Sequence, residues 1–385
     1  MKNKTSESAD RLALFVFLGA VVGGGIFGLP YIIAKAGIIA SLFFFLLLGG
    51  GVTLLHLCLG EVILRTKENQ RLVGYAQRYL GQWGKVLLSV SAIIGTIGVL
   101  LAYIIAGGDF LRIILSPILN LEDVFFNLIF FAGCLSFLLF GAKVVSRVEV
   151  LSNLLFLAAL LLILTLCLVR FDLGNITISN KNQFFLPYGV ILFALAGWSA
   201  VPEMADILKK AQRSSQLKRT IIIGTAIALG AYILFGLVIS GVSGEKTSQE
   251  AFEGLIPFLG RKVVFWGAVA GAITLADSFL VIGLYLTNTL LYDFKIKKTW
   301  SLGLACGLPL ILFLIGMRSF IDIIGTVGIV LGTIEGVIIV LMFKKAKKKG
   351  ERKPEYDLKI PSFVLYLLVI IFLLGGAIHL IYLIK

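Results

Sequence analysis

Gly19 to Pro30 reads G-A-V-V-G-G-G-I-F-G-L-P, inside an apolar run long enough to cross a membrane. The three consecutive glycines, Gly23 to Gly25, fall near the middle of that run. Glycine costs about 1 kcal/mol in a helix interior and proline about 3 kcal/mol, so a plain anchor gains from neither. A helix that opens in mid-membrane does gain. Opening frees backbone N–H and C=O groups, which survive in a bilayer only where they line a cavity or bind something. The stretch therefore reads either as a broken helix whose backbone holds a ligand or as a small-residue face packed on a neighbouring helix.

A second stretch bears on that choice. Gly25 to Pro30 reads G-I-F-G-L-P and Gly197 to Pro202 reads G-W-S-A-V-P, 172 residues further on. Two Gly/Pro-interrupted spans at matching places in two halves are the sequence mark of a transporter built from inverted repeats.

Composition sets the setting. The chain has 385 residues, 59% of them hydrophobic, and a mean hydropathy of +1.01; soluble domains are about 45–50% apolar. Each crossing needs about 20 apolar residues. Eleven such runs occur, at about 11–36, 38–64, 86–115, 124–141, 147–169, 184–208, 220–243, 262–291, 300–317, 319–343 and 361–383. The first is too long for a secretory signal and lacks a cleavage site. The loops leave no room for a soluble domain, although polar residues 66–85 suit a short interfacial helix. The net charge of +14 does not point to nucleic acid, because the basic residues sit in short loops.

Those loops set an orientation. One side carries 26 Lys/Arg and the other 8, with Lys35 inside a span. The positive-inside rule puts the richer side, and the amino terminus, in the cytoplasm; after eleven crossings the carboxyl terminus lies outside. The run Lys344 to Lys353 is read first as a topology signal and second as a contact for anionic membrane lipid. Asn175-Ile176-Thr177 matches a glycosylation triplet that arises often by chance. Cys58, Cys134, Cys167 and Cys306 lie in apolar runs without a C-x-x-C pair and read as buried thiols. His56 and His379 are too few for a histidine-based metal centre, and His56 reads as a packed, hydrogen-bonded side chain.

G-G-G-I-F-G-L-P in the first span, F-A-L-A-G-W-S-A-V-P-E-M in the sixth and G-E-V-I-L-R-T closing the second resemble the amino acid/polyamine/organocation transporter superfamily, in its aromatic and auxin-permease-like branches. The resemblance covers nearly the whole chain. It implies an all-α membrane protein of the LeuT-type fold: five helices, five inverted helices, and an extra one. The first repeat would cover about 11–170, the second about 184–343, and the extra helix about 361–383. It further implies a secondary transporter that binds an amino acid between the broken first and sixth helices and uses no cofactor beyond a coupling ion. The substrate carboxylate suits a half-helix N-terminus, where Gly23, Gly24, Gly25, Ile26 and Phe27 would supply N–H groups. The ammonium would meet carbonyls near Val21 and from Phe193 to Ala196, with Gly197 and Trp198 following; Trp198 would cover the substrate side chain or pack in the bundle. Tyr103 lines the vestibule or fills the core. Neither break holds an Asp, Glu, Lys or Arg, so neutral apolar or aromatic amino acids are expected.

Coupling is read from the eighth span. Thr274, Asp277 and Ser278 share one helical face. In sodium-coupled relatives that spacing, with first-helix carbonyls here equivalent to Gly19 and Val22, forms a cation site. Asp277 departs from the hydroxyl-and-carbonyl set of such sites. Ionisable residues at membrane depth are costly and usually functional, and burial disfavours a charged carboxyl, so a proton is preferred over sodium. A permanently protonated Asp277 in a structural hydrogen bond is the alternative. Glu335 is the second proton candidate. Asn153 would support the cation site, while Glu61 and Glu149 would pair with Arg65 and Arg147. A channel would want a repeated filter segment, and a membrane enzyme a polar cluster near one interface; the chain offers neither. A sensor on a transporter fold stays open. The sequence assigns no oligomeric state.

Overall fold

The structure is a computed structural model that describes residues 2–140 and 157–384. Lys143, Arg147, Glu149 and Asn153 lie outside the described residues, as does the first part of the run at 147–169. Among the described residues the chain is helical and contains no strand. This is the all-α membrane class expected.

The first span is broken. α1 (Lys2–Val21) stops, a 3-10 turn runs from Gly24 to Gly28, and α2 (Leu29–Ala36) continues it. The two arms meet at 49°. Gly23 supplies the extended link, at φ −122° and ψ −153°. Pro30 then sits in the first turn of α2, where its missing N–H costs nothing because the first donors of a helix have no intrahelical acceptor. The sixth span repeats the plan. α8 (Leu186–Leu195) ends at Ala196, and α9 (Ala200–Lys210) restarts with Pro202 in its first turn. In both segments the glycine lies in the interruption and the proline in the first turn of the half-helix that follows.

Between and after these lie α3 (Ile38–Leu64), α4 (Leu72–Leu80), α5 (Gln82–Leu115), α6 (Asp123–Phe140) and α7 (Leu157–Val169). α10 (Leu217–Ser243), the short α11 (Ile256–Leu259), α12 (Arg261–Asn288), α13 (Lys298–Leu314), α14 (Phe320–Lys349) and α15 (Ser362–Ile384) complete the chain. Seven helical spans of the described residues, α8 with α9 counted as one, are long and apolar enough to cross a membrane, and the bent pair α1 and α2 makes an eighth. Three shorter apolar helices, Asp123–Leu139, Leu157–Val169 and Lys298–Leu314, coincide with the fourth, fifth and ninth runs of the sequence. The interfacial helix expected in 66–85 is α4, which buries Tyr75, Ala76 and Tyr79.

Packing brings the breaks to the centre. α1 lies against α9 and α10, and α2 against α8 and α10. α5, α12 and α14 close around them, with α14 packed on both α8 and α5. At one end Asp10 ties α1 to the loop after α9, accepting from Arg213 Nε at 2.8 Å and Nη2 at 2.5 Å. At the same end Glu61, fully buried, accepts from Arg65 Nε at 2.8 Å and from the Leu358 N–H at 2.6 Å. The Glu61–Arg65 pair is the one the sequence suggested, while Lys347 and Asp357 extend it. The four cysteines are free and buried, as read. The Asn175 amide donates to the Gly241 carbonyl, so this side chain serves the packing of its loop.

Candidate functional site between the two breaks

The glycines of the first break serve packing and backbone exposure together. A Cβ on Gly24 would stand 2.6 Å from Tyr103 Cε1 and 2.9 Å from Leu275 Cδ2. One on Gly25 would meet Phe193 Cδ1 at 3.0 Å and Ala194 Cα at 3.1 Å. Gly24 thus lets the 3-10 turn touch α5 and α12, and Gly25 lets it touch the end of α8. Gly23 faces open space, with nothing within 4 Å of its Cβ position. The break of the helix and the close packing of small residues thus occur in the same stretch.

The N–H cradle is narrower than the sequence suggests. Gly23 N–H donates to the Val21 carbonyl at 2.9 Å, and Ile26 N–H to the Gly23 carbonyl at 3.1 Å. Phe27 lies inside the 3-10 turn, where its N–H is taken up three residues back. Gly24 and Gly25 head the turn, and helix-leading donors have no intrahelical acceptor. The side chains of Ile26 and Phe27 are fully buried. Phe27 packs edge-on to Phe110 and Phe252, at ring-centroid distances of 4.9 and 5.6 Å. It belongs to an aromatic cluster rather than to the backbone cradle.

The carbonyl side holds a residue that sequence reasoning passed over. Tyr232 of α10 is fully buried, and its hydroxyl reaches the Val21 carbonyl at 2.5 Å and the Ala194 carbonyl at 2.9 Å. It bridges the ends of α1 and α8, one from each broken span. Val21 O accepts from Gly23 N–H and competes with Ala194 O for the single Tyr232 proton. The Val21 carbonyl is therefore partly engaged by Gly23 N–H and Tyr232, not free as the sequence suggests. Phe193 O likewise accepts from Ala196 N–H, at 3.2 Å.

Around this junction the structure gathers part of the expected set. Tyr103 is buried against Gly24 and lies within side-chain hydrogen-bonding reach of Ser278. Thr274 is buried, and its hydroxyl has no hydrogen-bond partner among the described residues. Asp277 is also buried. At 3.6 residues per turn it lies about 160° round α12 from Leu275, which touches Gly24. Ser278 therefore looks toward the turn and Tyr103, while Asp277 occupies the far flank of the polar face. Gly19 and Val22 fall on the α1 side of the break, and a Cβ on Gly19 would meet nothing within 4 Å. Glu335 is buried in α14.

At the second break, Gly197 faces the Val21 side chain and His56, and the Trp198 ring lies 5.0 Å from the His56 ring. The sequence suggested a hydrogen-bonded His56. Neither of its ring nitrogens has a partner among the described residues, and the same holds for Trp198 Nε1. Aromatic packing against Phe17 and Trp198 holds the imidazole instead.

A further ionic group gathers at the opposite end from Asp10. Arg112 pairs with Glu253 at 2.5 Å and with Asp123 at 3.6 Å. Burial pushes the Glu253 carboxyl up, while Arg112 beside it pulls the other way. No signal in the sequence links these three residues, which lie on separate segments.

Among the described residues no group of three or more His, Cys, Asp or Glu could hold a metal ion. The family model described as tryptophan/tyrosine permease family matches residues 11–381. Among curated proteins, the chain is 22% identical over 356 residues to "Glutamine transporter 2" of Aliivibrio fischeri, covering 90% of this chain and 91% of that protein. It is 26% identical over 375 residues to "Tyrosine-specific transport system 1" of Haemophilus influenzae, covering 91% of this chain and 90% of that one.

Proposed function

Because the chain belongs to the tryptophan/tyrosine permease family, a family of permeases and not of enzymes, we propose that it carries neutral amino acids, apolar or aromatic, across the membrane by cation-coupled symport. The observation that carries this reading is the junction of two broken spans. Gly25 lies against Phe193 and Ala194, and one Tyr232 hydroxyl serves a carbonyl from each span. Here the substrate carboxylate takes the N–H groups of Gly24 and Gly25, where the half-helix dipole favours an anion. The ammonium takes carbonyl oxygens at the end of α8, shared with or released by Tyr232. Tyr103 and Trp198 flank the side chain. The relatives named for glutamine and tyrosine transport agree with a neutral amino acid.

The architecture proposed is the LeuT-type inverted repeat, with spans one to five and six to ten as its halves and α15 outside them. Alternating access rocks one set of half-helices against the rest, opening the Asp10–Arg213 contact on the cytoplasmic side. The amino terminus is cytoplasmic and the carboxyl terminus outside. Asp277 carries the coupling proton, with Thr274, Ser278, Gly19 and Val22 around it; a sodium ion at the same residues is the alternative that the coupling test separates.

A thermal-shift screen of the purified protein against the common amino acids tests the substrate reading. Neutral amino acids are expected to raise the melting temperature, and lysine and glutamate to leave it unchanged, since a buried charge without a partner costs several kcal/mol. Preference for lysine or glutamate would contradict it. Tyr232→Phe keeps the ring and removes the bridge. It is expected to weaken substrate binding about tenfold, the worth of a hydrogen bond lost together with its alignment of the two spans. Unchanged affinity in the Phe variant would remove Tyr232 from the site.

A further inference from the structure

The loop between α14 and α15, residues 350–361, joins two membrane spans at one surface of the bundle. Its acidic residues pin it down. Glu351 accepts from the Lys67 N–H at 3.0 Å and pairs with Arg78 of α4. Asp357 accepts from Arg65 Nη2 at 2.7 Å and from Lys347 Nζ at 2.8 Å, and Glu355 pairs with Arg352. The Leu358 N–H donates to the buried Glu61, and the Tyr356 hydroxyl donates to the Leu57 carbonyl at 2.7 Å. The loop is thus a strap laid across the ends of α3 and α4. It also bears on the second broken span. Lys67, whose N–H goes to Glu351, offers its carbonyl to Lys209 Nζ at 3.2 Å, and Asn69 Oδ1 accepts from the same ammonium at 2.7 Å. Lys209 lies in the last turn of α9, and Arg71 pairs with Glu203 in the first turn of that helix at 3.2 Å. Residues 67–71 are therefore held by the strap on one side and hold α9 on the other.

Residues 344–361 hold eight Lys or Arg against three acidic residues, and all three acids are engaged in the contacts just given. Lys345, Lys348, Lys349, Lys353 and Lys359 are exposed, and none of them forms an ion pair among the described residues. Lys345, Lys348 and Lys349 share one face of the last turns of α14 by their i, i+3, i+4 spacing. Beside them Lys344 stands 4.1 Å over the ring of Tyr366, an exposed aromatic in the first turns of α15, and tyrosines of this kind sit at headgroup level. The five free lysines therefore stand where a membrane presents its headgroups. A cluster of about four to eight Lys or Arg next to a span is the pattern that anionic headgroups neutralise. A zwitterionic headgroup brings no net charge to do so.

We infer that Lys345, Lys348, Lys349, Lys353 and Lys359 form a site for anionic phospholipid headgroups, and that lipid bound there steadies residues 67–71 and favours the arrangement in which α9 is docked. A ligand shifts such a balance only by binding one arrangement better than the other. Here the difference is electrostatic: releasing the strap from α3 and α4 frees the Glu351 and Asp357 carboxylates beside the lysines, and these repel an anionic headgroup. The site lies apart from the junction of the two breaks and needs no amino acid to fill it. The orientation proposed above decides only which leaflet supplies the lipid.

The test is binding of phosphatidylglycerol and phosphatidylcholine, with matched acyl chains, to the purified full-length protein in detergent. Phosphatidylglycerol is expected to bind at least about tenfold more tightly, and the ratio should fall as salt is raised, because exposed charges are screened. Lys345→Gln, Lys348→Gln, Lys349→Gln, Lys353→Gln and Lys359→Gln together should bring the ratio to within about twofold of one. Lys295→Gln, Lys297→Gln and Lys298→Gln together, in a basic loop that the sequence places on the same side, should leave it as in wild type. Hydrogen exchange of residues 67–71 and of the end of α9 should slow at least about threefold when phosphatidylglycerol binds wild type, and not in the five-lysine variant. A wild-type ratio near one overturns the site, and so does an equal loss in the control variant. Displacement of the lipid by inorganic phosphate at unchanged ionic strength also overturns it, by assigning the lysines to a soluble anion. Lipid binding with unchanged exchange overturns the link to α9. None of these readouts uses an amino acid, so their failure leaves the proposed transport function standing. The wild-type ratio decides the site even where a variant does not fold.

Discussion

Gly24→Leu is expected to abolish amino acid binding while the protein still inserts and folds. The residue has no room for a side chain: a Cβ alone would stand 2.6 Å from the Tyr103 ring and 2.9 Å from Leu275. A leucine must push the 3-10 turn away from α5 and α12, and overpacking of this kind costs about 1–3 kcal/mol. A bundle of this size absorbs that cost. The displaced turn no longer aims the N–H groups of Gly24 and Gly25 at one point. Two hydrogen bonds to a charged group, worth roughly 1.5–3 kcal/mol each, would go, so affinity falls by at least about 100-fold. Gly23→Ala is the control. Its Cβ meets nothing within 4 Å and its φ of −122° suits alanine, so binding should stay within about threefold of wild type. Equilibrium binding to detergent-purified protein of normal gel-filtration profile reads both. Normal affinity in Gly24→Leu would show that the carboxylate sits elsewhere.

Asp277→Asn is expected to separate binding from uphill transport. The variant keeps size and hydrogen bonding but cannot titrate. It should bind substrate and exchange it across the membrane while losing accumulation driven by a pH gradient. The carboxyl is buried at mid-helix in α12, a setting in which an ionisable side chain is expensive and usually serves a function. Wild-type uptake should rise as the outside is acidified and be indifferent to replacing sodium with potassium. A strict sodium requirement would sink the proton reading and leave Asp277 as a ligand beside Thr274 and Ser278. Full gradient-driven uptake by the Asn variant would remove Asp277 from coupling and move attention to Glu335.

The two breaks were legible because glycine and proline act through backbone geometry that any environment must respect. The roles of Gly23, Pro30 and Pro202 follow from local rules, and so do the Glu61–Arg65 pair at i,i+4 and the amphipathic α4. What the sequence hid are contacts between distant segments. Tyr232 is one tyrosine in an apolar helix, with the appearance of any core ring. Only the fold brings its hydroxyl to Val21, 211 residues away, and to Ala194. The setting of His56 is hidden for the same reason. A buried histidine ordinarily finds a partner, and nothing in the local sequence shows that its neighbours would be Phe17, Gly197 and Trp198. The extended link at Gly23 turns that residue's own N–H back onto Val21, a closure that spacing alone does not reveal.

The most direct test of the central claim is flux. Wild-type protein reconstituted into proteoliposomes, with an alkaline interior and labelled L-tyrosine or L-glutamine outside, should accumulate label above the outside concentration. Collapsing the pH gradient should release that label to equilibrium. Saturable binding with no uptake and no exchange would contradict the account and make the junction of the two breaks the ligand site of a sensor.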